Sequence, residues 1–463
     1  MTPEELASWA EDFAAFHARF AHLFARSEPR EQAAKYLRGL LSPIPRKNGW
    51  QVAEAVGDAT PDRTQRLLYR AQWDADAALD ELIAFVVETL GDPEGIGVVD
   101  ETGFLKKGTK SVGVKRQYTG TAGKVENCQV GVFLVYVTPR GQTFLDRRLY
   151  LPREWCDDPE RRREARVPEG VEFRTKPELA AEMLRHAWQQ GVPMRWVTGD
   201  EVYGDSAEFR DLIRAKEGCD YVLAVSANTP VWTEQPALEP PIEAGRRACP
   251  PPCRVEGALS LTTVAAVVAA WPEQQWQRLT VAEGEKGPRT YDWAAGRVVE
   301  SRDGLPGPDA WLLARRSLED PTDIAYYLSS ASGDTPLLTL AQVASSRYGV
   351  EQVIEEGKGE TGLDEYEVRY WHSWYRHITL SMMAHAWLVS IRCKAAKKGG
   401  GAGVGRTECS RGAAVAGGSL APASSHRRAL SGLVALAASP AATGPPQSLS
   451  AQGAAVAPPT GSR

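Results

Sequence analysis

The chain has 463 residues, 43 % of them hydrophobic and 24 % charged, with a formal net charge of −5 and a pI near 5.9. That is the composition of an ordinary globular protein, long enough for about three domains. The mildly acidic balance excludes a global basic field, so any nucleic-acid surface must be local. Scattered cysteines argue for a reducing compartment, and the acidic start "MTPEELASWAEDF" is no secretory leader. No apolar run reaches bilayer length, so the expectation is a cytoplasmic protein with no membrane partner.

Residues 1 to 92 read as a helical N-terminal domain. Leu6, Trp9, Phe13, Phe16, Phe20 and Leu23 recur at helical spacing, and a second helix runs from Arg30 to Leu41, stopping before Pro43. In "WQVAEAVGDATPDRTQRLLYRAQ" two short helices flank Gly57-Asp58-Ala59-Thr60, and Pro61 begins the second. This is a helix-turn-helix-like pattern whose second helix exposes Arg63, Arg66 and Arg70 for DNA; a plain helical hairpin is the alternative. A last helix spans Asp74 to Leu90.

Residues 93 to 227 change character. "GIGVVD" is a short buried strand expected to end at Asp100. "CQVGVFLVYVT" and "QTFLDRRLYL" form an antiparallel pair around Pro139-Arg140-Gly141. A helix ("KPELAAEMLRHAWQQG"), a strand ending in Asp200 ("PMRWVTGD"), a helix ("SAEFRDLIRAKEG") and a strand ("YVLAVS") follow. The order predicts a mixed α/β sheet.

Residues 228 to 340 read as β-rich, with "LTTVAAVVAA", "RTYDWAAGRVVE", "AWLLARRS" and "AYYLSSA" as strands or short elements. Cys249 and Cys253 flank three prolines with no second ligand pair at zinc spacing, so they read as a proline-rich loop. Residues 341 to 397 are helical again. Residues 398 to 463 are dominated by Gly, Ala, Ser and Pro and read as a disordered low-complexity tail. Such a composition is also what an out-of-frame reading of GC-rich DNA produces, so a frameshifted, inactive copy is an alternative.

Two short apolar strands each deliver an aspartate, Asp100 and Asp200, followed by glycine-containing turns. Functional groups gather beyond strand ends in α/β sheets. Adjacent strands would bring both acids within reach of one divalent ion, which relieves their repulsion. Glu101 and Glu201 follow them, but the next side chain of a strand faces the other way, so neither is favoured as a ligand. A third acid is expected from the C-terminal helices. Arg347, Glu351 and Lys358 share one helix face; Glu355 is the rival one turn on, and Glu367 lies past a break at Gly362. His372, His377 and His385 have poor ligand spacing and read as helix-surface or core residues.

The runs "VDETGFLKKGTKSVGVKRQYTGTAGKVENCQVGVFLVY", "WVTGDEVYGD" and "GLDEYEVRYWHSWYRHITLSMMAHAWL" resemble, in that order, insertion-sequence transposases of the DDE superfamily. The resemblance implies an RNase H-like catalytic core. One branch of the superfamily carries its third acid in a Tyr-x2-Arg-x3-Glu-x6-Lys signature. Arg347, Glu351 and Lys358 match it, whereas Ala344 stands at the Tyr position. By that resemblance the catalytic, metal-holding triad is Asp100, Asp200 and Glu351, and the β-rich segment is the branch's insertion.

The chemistry implied is two-metal phosphoryl transfer with Mg2+, Mn2+ substituting, on double-stranded DNA at the element ends and the target site. Lys106, Lys107, Lys115 and Arg116 would receive the DNA backbone, and Arg347 and Lys358 would hold phosphates near the cleaved end. Trp293 is the insertion residue chosen to stack on a flipped base, with core packing as the alternative. A homodimer on DNA is expected, associated with the bacterial nucleoid. A metal-dependent nuclease without strand transfer and a transposase-derived DNA-binding protein are the rival functions.

Overall fold

The structure is a computed structural model that describes residues 3–239, 254–255, 261–284 and 287–399. The proline-rich loop around Cys249 and Cys253 and residues 400–463 of the low-complexity tail lie outside the described residues.

The N-terminal region folds as helices α1 (Pro3–Arg19), α2 (Ser27–Leu41), α3 (Gly49–Ala55), α4 (Asp62–Tyr69) and α5 (Ala75–Leu90). Asn48 caps α3 by accepting from the Trp50 and Gln51 amides, and Asp74 caps α5 through Asp76 N. The helical periodicity of Phe13, Phe16 and Phe20 is a buried stripe. Between α3 and α4, Gly57 takes a left-handed φ of 75°. Asp58 there accepts from Lys35 Nζ at 2.6 Å and Gln32 Nε2 at 2.9 Å, anchoring the turn to α2.

The first part of the sheet comprises β1 (Ile96–Leu105), β2 (Lys115–Thr119), β3 (Lys124–Thr138), β4 (Gly141–Tyr150), β5 (Trp196–Gly199) and β6 (Asp220–Val225). Between them lie α6 (Arg153–Cys156), α7 (Pro159–Glu164), α8 (Lys176–Gln189), α9 (Glu201–Gly204) and α10 (Ala207–Arg214). β1 pairs antiparallel with β3, and β3 with β4; on the other side of β1, β5 and then β6 run parallel to it. The order β4-β3-β1-β5-β6, an antiparallel meander flanked by parallel strands, is an RNase H-like mixed sheet. β1 does not end at Asp100 as expected. Its ladder with β3 continues to Leu105, opposite Cys128, while its ladder with β5 stops at Val99 and Gly199. Asp100 therefore sits at a notch, where one neighbouring strand has ended and the other has not.

The stretch between the second and third acids contains β7 (Pro230–Trp232), β8 (Leu238–Glu239), β9 (Arg254–Val255), β10 (Thr262–Thr263), α11 (Val264–Ala269), β11 (Gln277–Gly284), β12 (Gly287–Arg302), β13 (Leu305–Arg316) and β14 (Ile324–Ser329). It is β-rich, yet among the described residues the sheet it builds apart from the core has only two strands. β14 pairs antiparallel with β6, so β7 and β10 to β14 extend the core sheet to twelve strands; among the described strands, β8 and β9 stand apart. "LTTVAAVVAA" is mostly helix rather than strand: Thr263 Oγ1 accepts from Ala266 N and caps α11. The cap and the interspersed alanines outweigh the strand preference of its valines.

Three helices close the fold: α12 (Leu337–Ser345), α13 (Tyr348–Thr361) and α14 (Trp371–Gly399). Gly362, at φ 65°, ends α13 in the left-handed conformation that favours glycine, and so separates Glu367 from that helix. α14 joins the helical region to the sheet. Phe13 packs edge-on against Trp387 with centroids 5.5 Å apart, and Arg147 of β4 hydrogen-bonds Thr379. No helix among the described residues is long and apolar enough to cross a membrane.

Candidate active site

Asp100 and Asp200 stand one residue past the last β1–β5 backbone pair, Asp100 still within β1 and Asp200 just beyond the end of β5. Asp200 is also the N-cap of α9, its Oδ1 accepting from Val202 N at 3.0 Å. Asp100 Oδ1 accepts from the Glu101 amide at 2.7 Å. Burial, then repulsion from Asp200 and Glu101, pushes the Asp100 carboxyl up to about 7. Burial and then Glu101 push Asp200 up to about 6. Two half-buried acids crowded in this way favour a cation between them.

α13 lies over the face of β1 that carries Asp100 and Thr102. At its start, Arg347 Nη2 donates to Glu351 Oε1 at 2.8 Å, and Nη1 stands 3.8 Å from Asp100 Oδ2. One guanidinium thus links the first and third predicted acids. Three turns on, Lys358 Nζ donates to Thr102 Oγ1 at 2.8 Å and Thr121 Oγ1 at 3.2 Å, placing it beside β1 and the β2–β3 turn. Glu355 is exposed and has no side-chain partner among the described residues. Ala344, at the expected tyrosine position, is buried at the end of α12. The adjacent Tyr348 has its own contacts, accepting from Arg315 Nη1 at 2.9 Å.

The other predicted residues divide. Lys107 and Arg116 are exposed. Lys115 forms an ion pair with Glu154. Lys106 is turned inward: its Nζ donates to Tyr366 O at 2.9 Å and lies 3.5 Å from the Tyr366 ring centroid, and burial draws its ammonium down to about 8. Arg63, Arg66 and Arg70 are exposed along α4 and its C-cap, while Leu67 and Leu68 face the core. Trp293 requires correction. It is 0 % exposed on β12 and packs against Tyr327 with ring centroids 5.7 Å apart, so it offers no face on which a base could stack. Of the histidines, His377 and His385 are core residues, bonded to Tyr36 and Thr143, and burial pushes His377 down to about 3.

The residue that sequence reasoning set aside is Glu101. It faces away from Asp100, as strand alternation requires, but it is engaged there: Tyr203 Oη donates to Oε2 at 2.8 Å and Lys176 Nζ to Oε1 at 2.5 Å. Its partners are 102 and 75 residues away, so no local signal could have revealed them.

As they stand, no three His, Cys, Asp or Glu side chains among the described residues converge closely enough to hold an ion. The donor chemistry nonetheless fits a hard divalent cation: two carboxylates with raised proton affinity share the notch, and a third is tethered to it by Arg347.

The mixed sheet thus sets two aspartates from distant stretches of chain at one notch, with Glu351 linked to Asp100 through Arg347, in an RNase H-like core. A family model described as DDE superfamily endonuclease matches residues 19–288, and the chain belongs to that family. Endonucleases of this superfamily generally use divalent metal ions. The chain is also 32 % identical over 199 residues to a probable transposase for insertion sequence element IS701 from Microchaete diplosiphon. That alignment covers 42 % of this chain and 49 % of the relative, about half its length. Two solved structures overlay loosely. A piggyBac transposase synaptic complex with hairpin DNA is 11 % identical with a TM-score of 0.38, covering 84 % of this chain and 66 % of that one. The NurA nuclease from Sulfolobus solfataricus is 8 % identical with a TM-score of 0.26, covering 61 % and 85 %. Neither overlay is close enough to bear on function.

Proposed function

We propose that the chain is a DNA transposase that binds the ends of its insertion sequence, cleaves the strands and joins them to target DNA. The observation that carries this reading is the placing of Asp100 and Asp200 side by side at the β1–β5 notch, with Glu351 linked to them through Arg347.

Asp100, Asp200 and Glu351 would hold two Mg2+ ions, Mn2+ substituting. When bound, such ions supply Lewis-acid activation of the attacking oxygen and stabilisation of the leaving 3′-oxygen. The residues of the chain have the remaining work. Arg347, which pairs with Asp100 and Glu351, would hold a phosphate near the cleaved end. Lys358 approaches the same strand from the β2–β3 turn. Lys107 and Arg116 receive the backbone, and Lys115 does so on leaving Glu154. Lys106 supports the site through Tyr366. Residues 1–92 form the end-recognition unit through Arg63, Arg66 and Arg70, residues 93–227 and 341–397 the catalytic core, and residues 228–340 its insertion. A homodimer holding two element ends, associated with the nucleoid, completes the reading.

The test is the purified protein with Mg2+ and labelled DNA carrying the element's own ends. Asp100→Asn, Asp200→Asn and Glu351→Gln each keep the side-chain shape and remove a charge that holds metal. Each should abolish cleavage while DNA binding persists. Cleavage without a joined product would identify a nuclease instead. An active Glu351→Gln beside a dead Glu355→Gln would move the third acid one turn along α13.

A further inference from the structure

We infer that Glu101 is a positioning residue of this centre: it ties the turn carrying Asp200 to the strand carrying Asp100, and so sets the separation of the two carboxylates. The inference rests on reading Asp100 and Asp200 as metal ligands.

Backbone pairing between β1 and β5 stops at Val99 and Gly199, one residue short of both acids. Past that point no ladder bond holds the two segments together, and two crowded carboxylates repel each other. The bond from Tyr203 to Glu101, 2.8 Å long, crosses the gap immediately beyond. Tyr203 belongs to α9, the helix that Asp200 itself caps, and its ring is fully buried against Phe209. α9 is held from the other side as well. A Cβ on Gly204 would lie 1.7 Å from Ala224 O of β6, so the helix has no room to retreat in that direction. The second Glu101 oxygen accepts from Lys176, the first residue of α8. That helix start is itself fixed by the reciprocal Thr175–Glu178 capping box. Both oxygens of Glu101 are therefore occupied on the face of β1 opposite Asp100, by a phenol from one helix and an ammonium from another. This is how an outer partner holds ligands in place, and not the posture of a ligand.

The test is a titration of the full-length protein with Mn2+ in the absence of DNA, followed by electron paramagnetic resonance of the free ion. The variants are Asp100→Asn, Tyr203→Phe, Glu101→Ala and Glu101→Gln. Tyr203→Phe and Glu101→Ala should each weaken Mn2+ binding roughly tenfold or more, the usual effect of removing an outer partner. Glu101→Gln keeps an amide oxygen for the tyrosine and should recover most of the loss, and Asp100→Asn should lose binding outright. The Mg2+ concentration giving half-maximal cleavage should rise in step with the Mn2+ dissociation constant.

If Asp100→Asn binds Mn2+ as wild type does, the carboxylate reading falls and this inference falls with it. If Asp100→Asn loses binding while Tyr203→Phe and Glu101→Ala match wild type, the positioning role alone is overturned. A Glu101→Gln as weak as Glu101→Ala beside a wild-type Tyr203→Phe also overturns it, since charge and not the tether would then be what matters. Should Tyr203→Phe fail to fold, the comparison of Glu101→Ala with Glu101→Gln decides.

Discussion

Asp100 and Asp200 carry proton affinities far from those of exposed aspartates, and the sign of the consequence is fixed. Their carboxyls are pushed up to about 7 and about 6 in the fold, whereas in the unfolded chain they return to the ordinary aspartate value near 4. A group raised on folding contributes stability that is full below its unfolded pKa and is lost as pH rises through its folded pKa. Metal-free protein should therefore lose stability between about pH 4 and 7, by at most about 1.4 kcal/mol per pH unit for each proton the fold holds. Thermal melts in chelator across that range check this. Asp100→Asn should flatten the decline and melt above wild type at pH 8, and added Mg2+ should restore the wild-type protein at that pH. A variant that melts below wild type at pH 8 would show that the crowding is not felt. At this same scale the sequence was an uneven guide. The placing of Asp100 and Asp200 beyond apolar runs, and of Arg347, Glu351 and Lys358 along one helix, was legible because such spacings are local patterns. The burial of Trp293, the inward turn of Lys106 and the tether on Glu101 were not, because each depends on what another part of the chain lays against it.

At the scale of elements, α4 is the clearest case of a pattern with two outcomes. Thr64, Leu67 and Leu68 face the core while Arg63, Arg66 and Arg70 face out, an amphipathic division readable from the sequence. Whether the exposed side meets DNA is a matter of counterions. Replacing all three arginines by alanine should lower the slope of log affinity against log salt by about 1 for each phosphate no longer neutralised, and should weaken binding to the element ends. Fluorescence anisotropy over a salt series measures both, and an unchanged slope would place end recognition elsewhere. β1 shows the opposite balance. Its apolar start predicts a strand, but its length was misjudged because the polar residues after Asp100 look like a turn. Pairing with β3, which carries the ladder to Leu105 and Cys128, overrides that local preference.

For the whole molecule, the unexpected feature is the continuity of the sheet. The β-rich stretch reads as an insertion, a part that could be lifted out. Instead β14 pairs with β6, and β12 and β13 bury Trp293, Leu312 and Leu313 in the core shared with the rest of the chain. Excising residues 228–323 would leave β14 as a raw apolar edge and expose the face under α12, conditions that promote aggregation. Size-exclusion chromatography and thermal melts of that deletion should give aggregate with no cooperative transition; a soluble, cooperatively melting product would show that the segment is a separable domain. The sequence by itself determined the class of fold, the helical beginning and end, the aspartates that follow two apolar strands and the basic face of α4, because periodicity, capping and short spacings are local and survive without partners. The tertiary structure alone decided where β1 stops being flanked, which cations are exposed, and that Glu101 meets Tyr203 and Lys176 from two different helices. Those outcomes depend on residues many tens of positions apart meeting in space, and such meetings leave no mark on the local pattern.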